Sequence, residues 1–216
     1  VLQAALALVD RDGLEALSMR GLAAALGVDA MSLYNHVANK DAVLDGLAES
    51  FLVSIELPAP TGDWREDIRA LATAFRTAAN RHPRAAPLVL TRQLGSLEGL
   101  SATEAALAHL HAAGFPPREA VHALRFVLAF LVGTLLREAS AGPTFSGLNL
   151  GGLVARRAEL GSSGLHHVVR AAPHLAVCNH QEEFDFGLEL VVAALERRRR
   201  ARRGVGKTGR RSPRRP

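Results

Sequence analysis

Apolar residues recur at three- and four-residue intervals along almost the whole chain, and no run alternates with the two-residue period of a half-buried strand. This spacing confines the chain to the all-α fold class, with about ten helices. The first is expected from Val1 to about Arg11, stopping at Asp12-Gly13. The second starts at Ser18, a side chain suited to capping orphan N–H groups, and ends near Leu26. A tight turn at Gly27 leads to a short third helix, Ala30 to Val37. Asn39 then caps a fourth, from Lys40 to about Leu57, ended by Pro58-Ala59-Pro60. Further helices are expected near Asp63–Arg81, Ala85–Leu94, Leu97–Ala113, Pro117–Ser140, Leu165–Ala176 and Gln181–Arg200. Residues 141–164, rich in Gly and Ser, read as a mobile loop. There is no internal repeat. The division expected is a head (1–46), a larger body (47–200) and a basic tail (201–216), with the boundary between head and body along the fourth helix.

The chain has 216 residues, 48% of them apolar, enough for a substantial core. Its one cysteine, Cys178, excludes an intrachain disulfide and suits a reducing, cytoplasmic setting. No segment reads as a signal peptide or a membrane span. The longest apolar run, Phe126–Leu136, lies between Arg125 and Arg137 and falls short of the ~20 residues a bilayer needs, so it reads as a buried helix. Val1 already sits in a helical pattern, and a short preceding arm is expected.

The net charge of +5 is misleading taken whole. From Arg197 to Pro216 there are 11 basic residues and no acid, which leaves residues 1–196 with 15 basic and 21 acidic groups, a net of −6. The tail, full of Gly, Pro and Arg, reads as a solvated extension or as a nonspecific contact to nucleic acid.

Residues 18–37 have the mechanics of a helix-turn-helix. Ala23 is small where two helices cross, and Gly27 supplies the positive φ of the turn. Leu22, Leu26, Val28, Leu33 and Val37 face inward to join Leu6, Val9 and Leu17. The third helix then presents Ala30, Met31, Ser32, Asn35 and His36, a short uncharged face suited to base edges in a major groove. Lys40 can reach a phosphate from the start of the next helix.

The strings Gly13-Leu14, Ser18-Met19-Arg20-Gly21-Leu22-Ala23, Leu26-Gly27-Val28 and Leu33-Tyr34-Asn35-His36-Val37-Ala38-Asn39-Lys40 resemble the head of the TetR family of regulators over about 45 ungapped residues. The resemblance implies that Arg20 reaches a base or phosphate. It implies that Ala30, Met31, Ser32 and Asn35 face bases, and that Tyr34, His36 and Lys40 hold the DNA backbone. Tyr34 can alternatively pack in the core with its hydroxyl out, and His36 can cap a helix. Residues 1–50 carry only Arg11, Arg20 and Lys40 against seven acidic groups, although DNA affinity leans on phosphate neutralisation. The preceding arm and the Arg-rich tail are expected to supply the missing charge.

The body more loosely resembles the tetracycline-repressor branch, through Trp64, Phe75-Arg76, Thr91-Arg92, Ala113-Gly114-Phe115, Ala120, Ala123-Leu124, Gly133 and the last helix from Phe184 to Leu195. The resemblance implies a homodimer joined through Pro117–Ser140 and the last helix, with Phe126, Leu131, Leu135, Leu188, Val191, Val192 and Leu195 at the seam; the alternative is that these residues pack in one subunit's own core. It implies an effector pocket lined by Leu71, Phe75, Leu88, Thr91, Leu107 and Phe130. Leu71 and Leu88 stand where that branch has an Asn and a His for its drug. Arg137, followed by Glu138, stands where it has an acidic residue for its metal. A magnesium–tetracycline chelate is therefore not expected, and a more hydrophobic effector is.

His166, His167, His174, Cys178 and His180 match no familiar zinc spacing and read as solvated or capping groups, so neither metal nor cofactor is expected. His109 and His111 fall on different helix faces. No phosphate loop, nucleophile elbow or catalytic triad is present, which argues against an enzyme. The expected function is a dimeric repressor that binds a palindromic operator and is released by a small effector. The alternative is a helical small-molecule-binding protein with a vestigial head, which the acidic head alone favours.

Overall fold

Side-chain caps set the helix boundaries of the head. Oγ of Ser18 accepts from the Gly21 N–H at 3.1 Å, so α2 (Met19–Leu26) begins there, after α1 (Leu2–Asp12) and the 3-10 turn Leu14–Ala16. Gly27, at φ 68° and ψ 28°, ends α2 in the left-handed region that costs glycine nothing. Asp29 accepts from the Met31 N–H at 2.8 Å and starts α3 (Ala30–Tyr34). Asn39 accepts from the Ala42 N–H at 2.8 Å and starts α4 (Lys40–Val53). Asp63 does the same for α5 (Trp64–Arg81). The 3-10 turn Ala86–Leu90, α6 (Ser101–Ala112), α7 (Pro117–Ser140), α8 (His166–Leu175) and α9 (His180–Thr208) follow.

This computed structural model describes residues 1–92, 95–140, 161, 164–175 and 177–208. Among them there are nine α-helices and no strand, so the fold is all-α. The stretch 141–160, most of the expected Gly/Ser loop, lies outside the described residues, as do 209–216 of the tail. The last helix runs through the tail's first residues to Thr208.

Several elements differ from expectation. The third helix stops at Tyr34, because 35–38 form the turn that lets Asn39 extend and cap α4. The fourth ends at Val53, four residues before the expected Leu57. The expected helix Ala85–Leu94 is only a 3-10 turn, with Pro87 near its start. Val28, assigned to the head core, is 44% exposed.

Two apolar cores form. The head core gathers Ala5, Val9, Leu22, Leu33, Val43 and Leu47, and takes in Ala85 and Leu88 from the body's 3-10 turn. The body core gathers α5, α6, α7 and α9 around Ile68, Phe75, Leu110, Leu131, Leu135 and Val192. Helix α4 belongs to both: Val43, Leu44, Leu47 and Ala48 pack in the head, and Phe51 and Leu52 in the body. Arg76 fastens α5, α7 and α9 together. Its buried guanidinium pairs with Glu138 at 3.1 Å, bonds Gln181 and lies over the Phe184 ring at 4.5 Å.

The span Pro117–Glu138 is long and apolar enough, by length and composition alone, to cross a membrane. Only one face of α7 is buried, through Ala120, Ala123, Val127, Leu131 and Leu135. The reading of 126–136 as a buried helix holds for one face: α7 leaves a second apolar face, with Phe126 and Leu136, in the open.

Candidate nucleic-acid interface and effector cavity

Leu33 is the anchor of α3. Buried against α1, α2 and α4, it turns the other residues of this short helix outward. Met31 is 74% exposed, and Ser32, Tyr34, Asn35 and His36 are exposed as well, while Ala30 is half-buried against the head core. Arg20 on α2 is exposed and Lys40 is half-buried at the start of α4. Neither makes an ion pair among the described residues, so both cations are available to an anion. The eight residues expected at DNA thus come from α2, α3, the turn after it and the first residue of α4.

The acidity of the head looks different once its partners are seen. Arg92 sits 2.6 Å from Asp41 and 3.7 Å from Asp45, and His82 Nδ1 lies 2.7 Å from Asp10. Arg84 donates to the carbonyls of Asp10 and Arg11, at 3.1 and 2.8 Å, where α1 ends. Cations suit that end of a helix. Arg11 pairs with Asp12. Glu49 accepts the backbone N–H groups of Gly95 and Ser96, which hold its carboxyl below the usual range. Residues 82, 84, 92, 95 and 96 of the body thus partner Asp10, Asp41, Asp45 and Glu49 and the end of α1 in the head.

Below the head, Leu52 and Ile55 close one end of a cavity of about 80 Å³. Ile68, Leu71, Ala72 and Phe75 of α5, Ala102, Ala106 and Leu110 of α6, and Leu124, Val127, Leu128 and Leu131 of α7 form the rest. Val89 and Thr103 complete it, and Thr103 carries its one side-chain hydroxyl. Of the residues expected at the pocket, Leu71 and Phe75 line this cavity. Leu88 instead sits in the head core. Thr91 is exposed, its hydroxyl donating to the Leu88 carbonyl. Leu107 packs on the body core, and Phe130 stacks on Phe184 at 6.1 Å. The residues missed, Ile55 and Val127 among them, share the helical periodicity of every core position, and nothing in the sequence singles them out.

The expected seam residues divide similarly. Leu131, Leu135, Leu188, Val191, Val192 and Leu195 are buried within the chain's own core, whereas Phe126 is 53% exposed. The apolar side chains that α7 and α9 leave outside are Phe126, Leu136, Phe186 and Leu190. Of the histidine and cysteine residues set aside above, Cys178 and His180 come together with Glu183 at the start of α9.

A short uncharged reading helix, held by a glycine turn on a small helical head and joined by one helix to an apolar cavity, defines a helix-turn-helix DNA-binding regulator. Residues 1–47 match the model of bacterial regulatory proteins of the tetR family, and 57–199 match that of the tetracyclin repressor-like C-terminal domain. The chain belongs to the TetR family of transcriptional regulators, whose members are not enzymes.

Tetracycline repressor class A from transposon 1721 of Escherichia coli is 33% identical over 210 residues, 95% of this chain and 93% of that protein. An HTH-type transcriptional regulator of Saccharopolyspora erythraea is 39% identical over 139 residues, 64% of this chain; the match spans 59% of that relative's length. Among solved structures, a possible TetR family regulator of Streptomyces coelicolor superposes with a TM-score of 0.73 at 31% identity, covering 90% of this chain and 96% of its own. ActR of the same organism, in complex with actinorhodin, gives 0.75 at 27% identity, covering 90% and 93%.

Proposed function

We propose that the chain is a cytoplasmic repressor that grips a palindromic operator as a homodimer and lets go when a small apolar effector enters the body. The observation that carries this reading is α4. Its first residue is Lys40, its middle packs in the head core, and Leu52 near its end, with Ile55 just beyond, walls the cavity. Ligand pockets run to ~300–1,000 Å³, several times the space present here. An effector must therefore part the lining helices as it enters, and Leu52 and Ile55 move with them. The helix passes that displacement to the head and changes the spacing of the two α3 helices of a dimer. Operator half-sites lie ~34 Å apart, so a changed spacing costs affinity. The effector can shift the equilibrium only by its preference for the parted state.

Dimerisation rests on the outward faces of α7 and α9. Phe126, Leu136, Phe186 and Leu190 form an apolar surface that a second copy covers by the same elements, as a two-fold contact requires. The charged neighbours Arg125 and Arg137 suit water better than lipid. The lining side chains, apolar except for Thr103, favour an effector with a broad apolar body and one group for the Thr103 hydroxyl. That ActR, at 27% identity, is known in complex with actinorhodin supports a small-molecule effector.

The test is selection of bound duplexes from random DNA, followed by anisotropy titrations of the winner over a range of salt. Arg20→Ala and Lys40→Ala are expected to lower the salt slope by about 1 each and to leave the circular dichroism spectrum unchanged. Failure to enrich any sequence, or equal affinity in the double variant, refutes the reading in favour of a small-molecule binder with an idle head.

A further inference from the structure

We propose that Cys178, His180 and Glu183 form a three-ligand site for a thiophilic divalent cation, with zinc the best chemical match. The site lies where the connector from α8 turns into α9, away from both the head and the cavity. Asn179 accepts from the Glu182 N–H at 3.3 Å, which fixes the turn and folds Cys178 back over the first turn of the helix. His180 and Glu183 are three residues apart and so share one face of α9.

Sγ of Cys178 lies 3.5 Å from Nδ1 of His180 and 3.5 Å from Oε1 of Glu183, and the three ligand atoms fall within 4.8 Å of one another. Tetrahedral zinc, with bonds of ~2.3 Å to sulfur and ~2.0–2.2 Å to nitrogen or oxygen, sets its ligand atoms roughly 3.3–3.6 Å apart. The sulfur–carboxylate edge is thus already at coordination distance, whereas Sγ also lies 3.7 Å from Nε2 of His180, so the imidazole turns on binding to aim a nitrogen lone pair at the shared ion. A thiol and an imidazole favour zinc over the hard cations magnesium and calcium. His180 and Glu183 also border a surface cleft of about 290 Å³, with Thr134, Arg137 and Phe186, through which an ion and a fourth ligand from water can enter.

Arg137 is the opposing charge. Its guanidinium lies 2.9 Å from Oε2 of Glu183 and 3.9 Å from Sγ of Cys178. The two carboxylate oxygens divide the work: Oε1 faces the sulfur and Oε2 faces the arginine. Arg137, 59% exposed, can therefore keep Oε2 as an outer partner of the liganding carboxylate while Oε1 binds metal. Its positive charge still weakens cation binding. On binding, the Cys178 thiol gives its proton to solvent and the neutral imidazole offers a lone pair, so about one proton is released per ion.

The test uses the full chain, reduced and stripped of metal, titrated first with Co²⁺ and then with Zn²⁺. One equivalent of cobalt per chain is expected to produce a thiolate-to-cobalt charge-transfer band with about one proton released, and zinc then abolishes the band with no further proton release. Cys178→Ser should remove the band. His180→Ala and Glu183→Gln should each weaken binding by more than ~100-fold, the upper end of the loss seen when only an outer partner is removed. Arg137→Gln should tighten it. All four positions lie at the surface, and thermal unfolding of each variant without metal checks that the fold is kept. No band in the parent chain overturns the proposal. So does a band that survives His180→Ala, or zinc affinity unchanged in Cys178→Ser, which would place the ion on exposed histidines such as His166 and His167.

Discussion

Gly187 shows what a single missing methyl group permits. A Cβ there would stand 2.7 Å from Cζ of Phe130 and closer still to its Cε2, so the backbone of α9 rests on an aromatic ring of α7. That ring cannot swing away cheaply, since it stacks on Phe184, which is itself held by Arg76. Gly187→Ala forces either the ring or the helix to shift. Overpacking of this kind costs ~1–3 kcal/mol, and glycine's poor helix propensity returns ~1 kcal/mol at most. A net loss of up to about 2 kcal/mol is expected in equilibrium urea unfolding; an unchanged or raised midpoint refutes the close contact. The same contact explains why Phe130 is absent from the cavity lining. Its helical phase marks it as inward-facing, but α9 supplies the neighbour it faces, and that pairing is invisible in α7's own sequence.

At the scale of elements, starts and stops were legible wherever the chemistry is local. Ser18, Asn39 and Gly27 announce their roles by type and position, and each performs it in the structure. What was not legible is which core an apolar residue joins. Leu88 has the spacing of a body residue, yet the 3-10 turn that carries it packs on α4, and Leu88 joins the head core. The 3-10 turn ends at Leu90, and its flanking residues 82–85, 91–92 and 95–96 act as a strap. The strap's charges act at fixed points: Arg84 on the end of α1, and Arg92 on the first turn of α4 beside Lys40. Arg92→Ala should release Asp41 and Asp45 as bare carboxylates close to the face proposed to meet DNA. The expected result is faster amide hydrogen exchange in α1–α4 with little change in α5–α9, together with operator affinity weakened about 10-fold at low salt and less at high salt. Uniform exchange rates across the two halves would show that the strap does not hold the head.

For the molecule as a whole, stability and signalling share the last helix. Helix α9 closes the body core with Leu188, Val191, Val192 and Leu195, and offers Phe186 and Leu190 outward. Its orientation is set by ion pairs along both flanks: Arg69–Glu189 and Arg65–Glu196 toward α5, and Glu119 with Arg198 and Arg202 toward α7. Glu196 is the most perturbed of these groups. Arg65 at 2.5 Å and Arg200 at 2.9 Å bring its carboxyl down from 4.5 to about 2. A carboxylate whose folded pKa is depressed binds protons more readily in the unfolded chain, so its contribution is full above the unfolded value. That contribution is lost as pH falls from about 4.5 toward about 2. Glu196→Gln should therefore lower the melting temperature at neutral pH, and the gap between variant and parent should close through that window. A gap independent of pH would mean that Glu196 holds α9 by packing instead of charge. On the proposed dimer, in which a second copy docks on the outer face of the same helix, acid should also loosen the dimer over that range in the parent. Sedimentation of parent and variant at matched pH separates that effect from unfolding.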